Sequence, residues 1–282
     1  LLYKKMSFPS FEDIDKTIKD LLNKDFFNPK KAPYQLKTKA GGPCGSKLTH
    51  TLDFQALGSG FNSSVSAECK VSDGFSFDKI EVASKDGKTK VETSLTGGPV
   101  PSGLKVEFKG DSANQGELGA TFESDAVTAE GTFDVIGFKS ASLAFCSGTG
   151  PMTFGASANI SLDGKAPALG DAKIGATYSV DNVCSGGLVF NTSDNSADVT
   201  LGYSALPDIS LGALINYPSN NVAFGGSYAC NANTIMKGKA STSGVLDFSV
   251  KQTIAPKCVL IGQASVDSAS KTPSFGANLT IG

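Results

Sequence analysis

A single histidine, His50, is all the imidazole the chain contains, and its six cysteines (Cys44, Cys69, Cys146, Cys184, Cys230 and Cys258) stand far apart with no C-x-x-C pair. Zinc sites pair closely spaced Cys and His ligands, so a metal centre or a His-based triad has almost nothing to build on. The cysteines read more simply as small hydrophobes. Phosphate loops, nucleophile elbows and acid–base pairs are also missing, so neither an enzyme nor a cofactor is expected. Only 18% of the residues are charged, and no basic or acidic block suggests a nucleic-acid partner.

Long apolar runs are absent too. No segment approaches the roughly 20 apolar residues a spanning helix needs. The start, Leu1 to Lys5 and then Met6-Ser-Phe-Pro-Ser10, has no apolar stretch followed by small residues, which argues against a cleaved secretory leader. There is no linker-like stretch and no repeat of fixed period across the 282 residues. Length alone allows one large domain or two smaller ones.

What the chain does have is alternation. Val65, Ala67, Cys69 and Val71 alternate with Ser64, Ser66, Glu68 and Lys70, and Leu104, Val106 and Phe108 with Lys105, Glu107 and Lys109. Met152, Phe154, Ala156, Ala158, Ile160 and Leu162 form the apolar phase of a further segment, and Phe275, Ala277, Leu279 and Ile281 that of the last. A period of two places each set on one face of a strand. Brief turn signals separate the segments: Asp73-Gly74, Asp163-Gly164 and Ser185-Gly186-Gly187 among them. Strands of roughly 8 to 11 residues joined in this way form an antiparallel meander and are long enough to cross a tilted bilayer path.

A β-sandwich in water alternates as well, with its apolar face inward. Two features favour a membrane barrel. The polar phase carries Lys, Glu, Thr and Ser with small Gly and Ala, a composition suited to lining water, and mean hydropathy is near zero at −0.04. About 240 residues of strand without a long excursion would also make an outsized sandwich. The predicted fold is therefore all-β, a transmembrane antiparallel β-barrel over 33–282, preceded by a segment 1–32 of different character.

In that first segment Phe11, Ile14, Ile18, Leu21 and Leu22 fall at helical spacing, with charged residues largely on the other face. The spacing predicts one amphipathic helix from Phe11 to Lys24, with Ser10 as N-cap and Asp13 as its reciprocal acid, ended by Asn28-Pro29 and Pro33.

The stretch Ser7-Phe-Pro-Ser-Phe-Glu-Asp-Ile-Asp-Lys-Thr-Ile-Lys-Asp-Leu-Leu-Asn-Lys24 resembles the N-terminal segment of the mitochondrial voltage-dependent anion channels, the eukaryotic porin family. Ser274, Gly276, Leu279 and Ile281 fit the mitochondrial β-barrel sorting signal (polar, any, Gly, any, any, hydrophobic, any, hydrophobic). The resemblance implies about 19 strands, an odd number that pairs the first and last in parallel, with the helix inside the lumen. It further implies a channel of the mitochondrial outer membrane, voltage-gated, through which ATP, ADP, small anions and ions diffuse. Membrane lipid surrounds it, and self-association or other membrane-complex partners are compatible with it.

On this resemblance Lys16, Lys19 and Lys24 are the helix cations that face passing phosphates. Strand phase adds Lys70, Lys105, Lys109, Lys173 and Lys251 to the candidate pore lining. Opposing carboxylates in the same phase make the lumen mixed, so selectivity of either sign is expected to be weak. The segment departs from the family in reading Asp25-Phe-Phe-Asn-Pro29 where the family has a Gly-rich hinge, and in carrying five carboxylates against three lysines between 7 and 27. Two other functions fit a barrel: a pore that imports precursor proteins, which would co-purify with small helical partners, and a non-conducting structural subunit, which conductance would exclude.

Overall fold

The computed structural model describes residues 8–26, 33–54, 60–84, 87–97, 100–164, 166–180 and 183–282. Nineteen strands make a single sheet. The first six are β1 Tyr34–Gly41, β2 Lys47–Phe54, β3 Phe61–Ser72, β4 Phe75–Ala83, β5 Thr89–Thr96 and β6 Leu104–Asp111. Then come β7 Gly116–Glu123, β8 Val127–Asp134, β9 Ser140–Thr149, β10 Met152–Ser161, β11 Ala168–Val180, β12 Cys184–Asn191 and β13 Ser196–Leu206. The rest are β14 Ile209–Tyr217, β15 Asn221–Asn231, β16 Thr234–Ser241, β17 Val245–Ala255, β18 Cys258–Asp267 and β19 Pro273–Ile281.

Each strand pairs antiparallel with the next, and β19 returns to β1 in parallel register, with Leu36 opposite Leu279. The sheet thus closes with no free edge, as lipid demands, because hydrocarbon cannot satisfy an unpaired backbone N–H or C=O. Asn278 Nδ2 donates to Gln35 Oε1 at 2.9 Å, and Gln35 Nε2 donates to Asp53 Oδ1 at 2.7 Å, so side chains reinforce the seam from β19 through β1 to β2.

Burial identifies the solvent on each face. Phe61, Leu143, Leu169, Phe224 and Phe275 are each more than half exposed, and together with many other large apolar side chains they point outward. The alternate phase turns Thr128, Thr200, Ser249 and Gln263 inward, where they are buried. A sandwich in water would bury the apolar phase; here the polar phase is inside and the apolar phase forms an outer belt. Only five described apolar residues are buried, and four of them (Phe11, Ile14, Ile18 and Leu22) belong to the N-terminal segment. No described helix is long and apolar enough to cross a membrane.

Two local expectations are corrected. The N-terminal helix is split into a 3-10 turn, Phe11–Asp13, and the α-helix α1, Lys16–Asn23. Asp15, at φ −118° and ψ 13°, leaves helical geometry between them, and Ser10 makes no side-chain cap. Asp13 binds Lys16 at 2.7 Å instead of closing a capping box. α1 ends at Asn23, ahead of Asn28-Pro29, which lie outside the described residues. Ser185-Gly186-Gly187 is not a turn but part of β12, paired with β11 and β13. Gly187 is needed there for space: a Cβ on it would lie 2.7 Å from Thr200 Oγ1 and 3.0 Å from Thr177 Cγ2.

Candidate permeation pathway

The N-terminal segment lies along the inner wall. Thr128 Oγ1 donates to the Phe8 carbonyl at 2.7 Å, and Phe11 covers Cys146, Gly155 and Gly175. Ile18 lies over Gly202 and Gly212, and Leu22 over Gly225. Register explains the seat: Gly155 faces Gly175, and Gly202, Gly212 and Gly225 are consecutive partners on β13, β14 and β15. The result is a shallow track of missing side chains that accepts the apolar stripe of the segment. Backbone and stripe approach closely only because these wall positions have no Cβ.

Charge then orders the segment along its length. Lys16 is exposed and held by Asp13, whose hydrogen bond and charge raise the ammonium pKa above its ordinary value. Lys19 meets Asp15 at 2.8 Å and Asp198 on β13 at 3.1 Å. Burial draws the Lys19 pKa down, but the hydrogen bonds and charges of these two carboxylates outweigh it and the net shift is upward. Lys24 has an exposed side chain, while its carbonyl accepts from Lys237 Nζ on β16 at 2.9 Å. Asp25 follows, 3.6 Å from Lys237 and 3.7 Å from Lys251 on β17.

On the side facing β6 to β12, the segment leaves an open cavity of about 800 Å³. Six carboxylates line it (Glu12, Asp15, Glu107, Glu117, Glu130 and Asp171) against three lysines, Lys19, Lys109 and Lys173. Lys109 stands 3.9 Å from Glu117, and Lys105, in the same strand phase, is bound to Glu107 at 2.6 Å. Lys70 lies close to the β3–β4 hairpin, where it binds Asp73 at 2.9 Å and holds that turn carboxyl below its ordinary value.

The lysines singled out by sequence therefore divide. Lys19, Lys109 and Lys173 share the cavity; Lys24 and Lys251 gather at the end of α1; Lys16, Lys70 and Lys105 stand apart with their own carboxylates. Sequence reasoning missed Lys237, Lys239 and the role of Asp25. The inward phase of Lys237 and Lys239 is visible in the alternation of β16, but their partners just past α1, Lys24, Asp25 and Phe26, are not. Ser274 and Gly276 turn inward on β19 opposite Ser265 and Gln263, while Leu279 and Ile281 share the outward phase of Phe275. Among the described residues no group of His, Cys, Asp and Glu is arranged to hold a metal.

A closed barrel with an apolar outside, a charged and hydroxyl-rich inside and a helix along one wall defines a membrane pore. The model of the eukaryotic porin family matches residues 8–276, and the chain belongs to that family. It is a passive channel for small solutes. A relative from Saccharomyces cerevisiae, "Non-selective voltage-gated ion channel 1", is 24% identical over 288 residues, covering 93% of this chain and 94% of that protein. Among solved structures, OmpT of Vibrio cholerae is similar at TM-score 0.39 and 12% identity, over 82% of this chain and 92% of that one. A loop L8 deletion mutant of the same protein gives 0.40 and 11%, over 86% and 94%.

Proposed function

We propose that this barrel is a voltage-gated metabolite channel of the mitochondrial outer membrane, passing ATP, ADP, small anions and ions. The observation that carries the reading is the α1 segment seated on the inner wall with an open, charged cavity beside it. A wall-bound helix narrows the path without closing it, and the cavity keeps the pore wet. Segment 1–32 acts as the gating element, and 33–282 as the conduit.

Of the eight candidate lysines, Lys109 and Lys173 are the ones best placed to meet a solute in the cavity. Lysine gives a mobile point charge that attracts phosphate without clamping it, as a channel that must release its solute requires. Lys16, Lys19, Lys70 and Lys105 are already matched by carboxylates, and Lys24 and Lys251 act at the end of the helix. This distribution supports weak selectivity with a cation lean, in place of strong anion preference.

Reconstitution in a planar bilayer with a KCl gradient tests the reading. Large conductance steps with a small reversal potential are expected; silence from a verifiably inserted barrel would leave only the structural-subunit reading. Location is tested separately. Gly276→Glu with Leu279→Ser, made in the sorting residues Ser274, Gly276, Leu279 and Ile281, should block assembly into isolated mitochondria. Unimpaired assembly of that variant would remove the sorting role.

A further inference from the structure

Asp25 sits at φ +69°, a left-handed conformation that is uncommon for side-chain-bearing residues and more accessible to Asp and Asn. That turn directs its carboxylate back to the barrel wall at the end of α1. Oδ2 faces Lys237 Nζ at 3.6 Å and Oδ1 faces Lys251 Nζ at 3.7 Å, with the carboxylate only 12% exposed. Lys237 also donates to the Lys24 carbonyl at 2.9 Å, one of the helix-end oxygens that α1 leaves unpaired. Two positions along β16, Lys239 lies 4.9 Å over the Phe26 ring and pairs with Asp247 at 3.3 Å.

The spacing of the Asp25 contacts decides their character. Tight charge-assisted hydrogen bonds run at about 2.7–2.9 Å. Asp25 is held at ion-pair distance by two ammonium groups, one per oxygen, and by no shorter bond from either. Two lysines spread around one oxyanion form a receptor for phosphate oxygens as readily as for a carboxylate.

We propose that Lys237 and Lys251 form a polyphosphate-binding site on the lumen wall, and that Asp25 occupies it as a built-in stand-in anion. A solute carrying a phosphate chain competes with Asp25, takes both lysines and frees the C-terminal end of α1 from β16 and β17. Occupancy by permeating nucleotide is thereby coupled to the position of the helix. The inference rests on the channel reading above and names the solute chemistry its wall recognises.

The chain contains no tryptophan, so Phe26→Trp in the refolded full-length protein gives a single-origin fluorescence reporter beside Lys239. Titration with inorganic tripolyphosphate should shift its emission in a saturable way. A site masked for nine-tenths of the time binds about tenfold more weakly than an open one, so Asp25→Asn should tighten binding about tenfold. The Lys237→Gln, Lys251→Gln double variant should abolish it. ATP should compete as tripolyphosphate does, since phosphate is the recognised group.

Equal affinity in the parent and in Asp25→Asn would overturn the proposal, as would a response to ATP alone or one that survives loss of both lysines. The Asp25→Asn arm predicts a gain, which a misfolded variant cannot imitate. Conductance of the same preparations separates the two readings. A conducting barrel with no Asp25→Asn gain refutes the latch and leaves the channel, whereas a silent one refutes the channel and the latch that rests on it.

Discussion

A Cβ placed on Gly155 would lie 2.6 Å from both Cys146 Sγ and Phe11 Cδ2, and 2.9 Å from the Phe145 carbonyl oxygen. The Phe11 ring and the Cys146 thiol can turn aside, but the Phe145 carbonyl belongs to the β9 backbone, so the β9–β10 pairing must shift as well. Overpacking of this kind costs about 1–3 kcal/mol. Gly155→Val is therefore expected to cost about that amount in all, shared between docking of the N-terminal segment and the β9–β10 pairing. Hydrogen exchange followed by mass spectrometry checks it: amides of 11–23 and of β9 and β10 around Gly155 should exchange faster than in the parent, and those of the distant β4 at the parental rate. Equal protection over 11–23 would mean that the ring does not use this seat. Lys19 makes a second prediction at this scale. Its ammonium titrates higher in the docked helix than in a free chain, so docking is at full strength below the ordinary value of 10.5 and weakens as pH rises past it, through the docked value. Asp198→Asn should bring the docked value down toward 10.5, so that the alkaline loss of docking is smaller and complete at a lower pH, read from trypsin cleavage after Lys19 or Lys24 across an alkaline pH series. An unmoved end point would assign the shift to Asp15 alone.

Elements differ in how far the sequence reveals them, and the difference is physical. Strand phase is local, because consecutive side chains must alternate, and the apolar phase beginning at Met152 runs as read through β10, Met152–Ser161. Bulges are not local: between Ala67 and Cys69 the register to β4 shifts, and no residue type there signals it. The helix stripe was legible at Phe11, Ile14, Ile18 and Leu22, yet the break at Asp15 was not, since no helix-breaking residue type stands there. Asp198 and Asn216 on β13 and β14 are bonded at 2.6 Å, and Asp198 draws Lys19 toward the wall. The glycine track left a trace in sequence, one inward-phase glycine on several neighbouring strands, but only register shows that the glycines align. The latch at Asp25 left none, since Lys24 and Lys237 are 213 residues apart. The closing seam depends on such long-range partners too. Asn278→Leu removes a donor to Gln35 and leaves a lumen-side acceptor to water, a loss of about 1 kcal/mol. In urea titrations of the refolded barrel this should lower the midpoint without changing the slope, whereas Asn216→Leu, far from the seam, should act through the helix instead.

For the whole molecule, net charge is the wrong quantity to reason from. The chain totals −2, but six carboxylates and three lysines share the cavity beside the segment, while Lys237, Lys239 and Lys251 collect behind the end of α1 with Asp25 and Asp247. A solute crossing the cavity therefore meets an acidic wall, and the cationic patch is reached only where Asp25 already stands. Two unit charges about 10 Å apart in water interact by about 0.4 kcal/mol, which physiological salt reduces to about 0.15. Three such charges sum to roughly 0.5 kcal/mol, or about a twofold change in relative permeability. Glu107→Gln, Glu117→Gln and Glu130→Gln combined should thus move the reversal potential in a KCl gradient toward chloride by a ratio of about two, and the change should shrink as salt rises. Removing Lys109 and Lys173 together should move it the other way. If the triple variant leaves the reversal potential where it was, ions do not pass along this wall, and the path must run on the opposite side of the lumen, past β1 to β4.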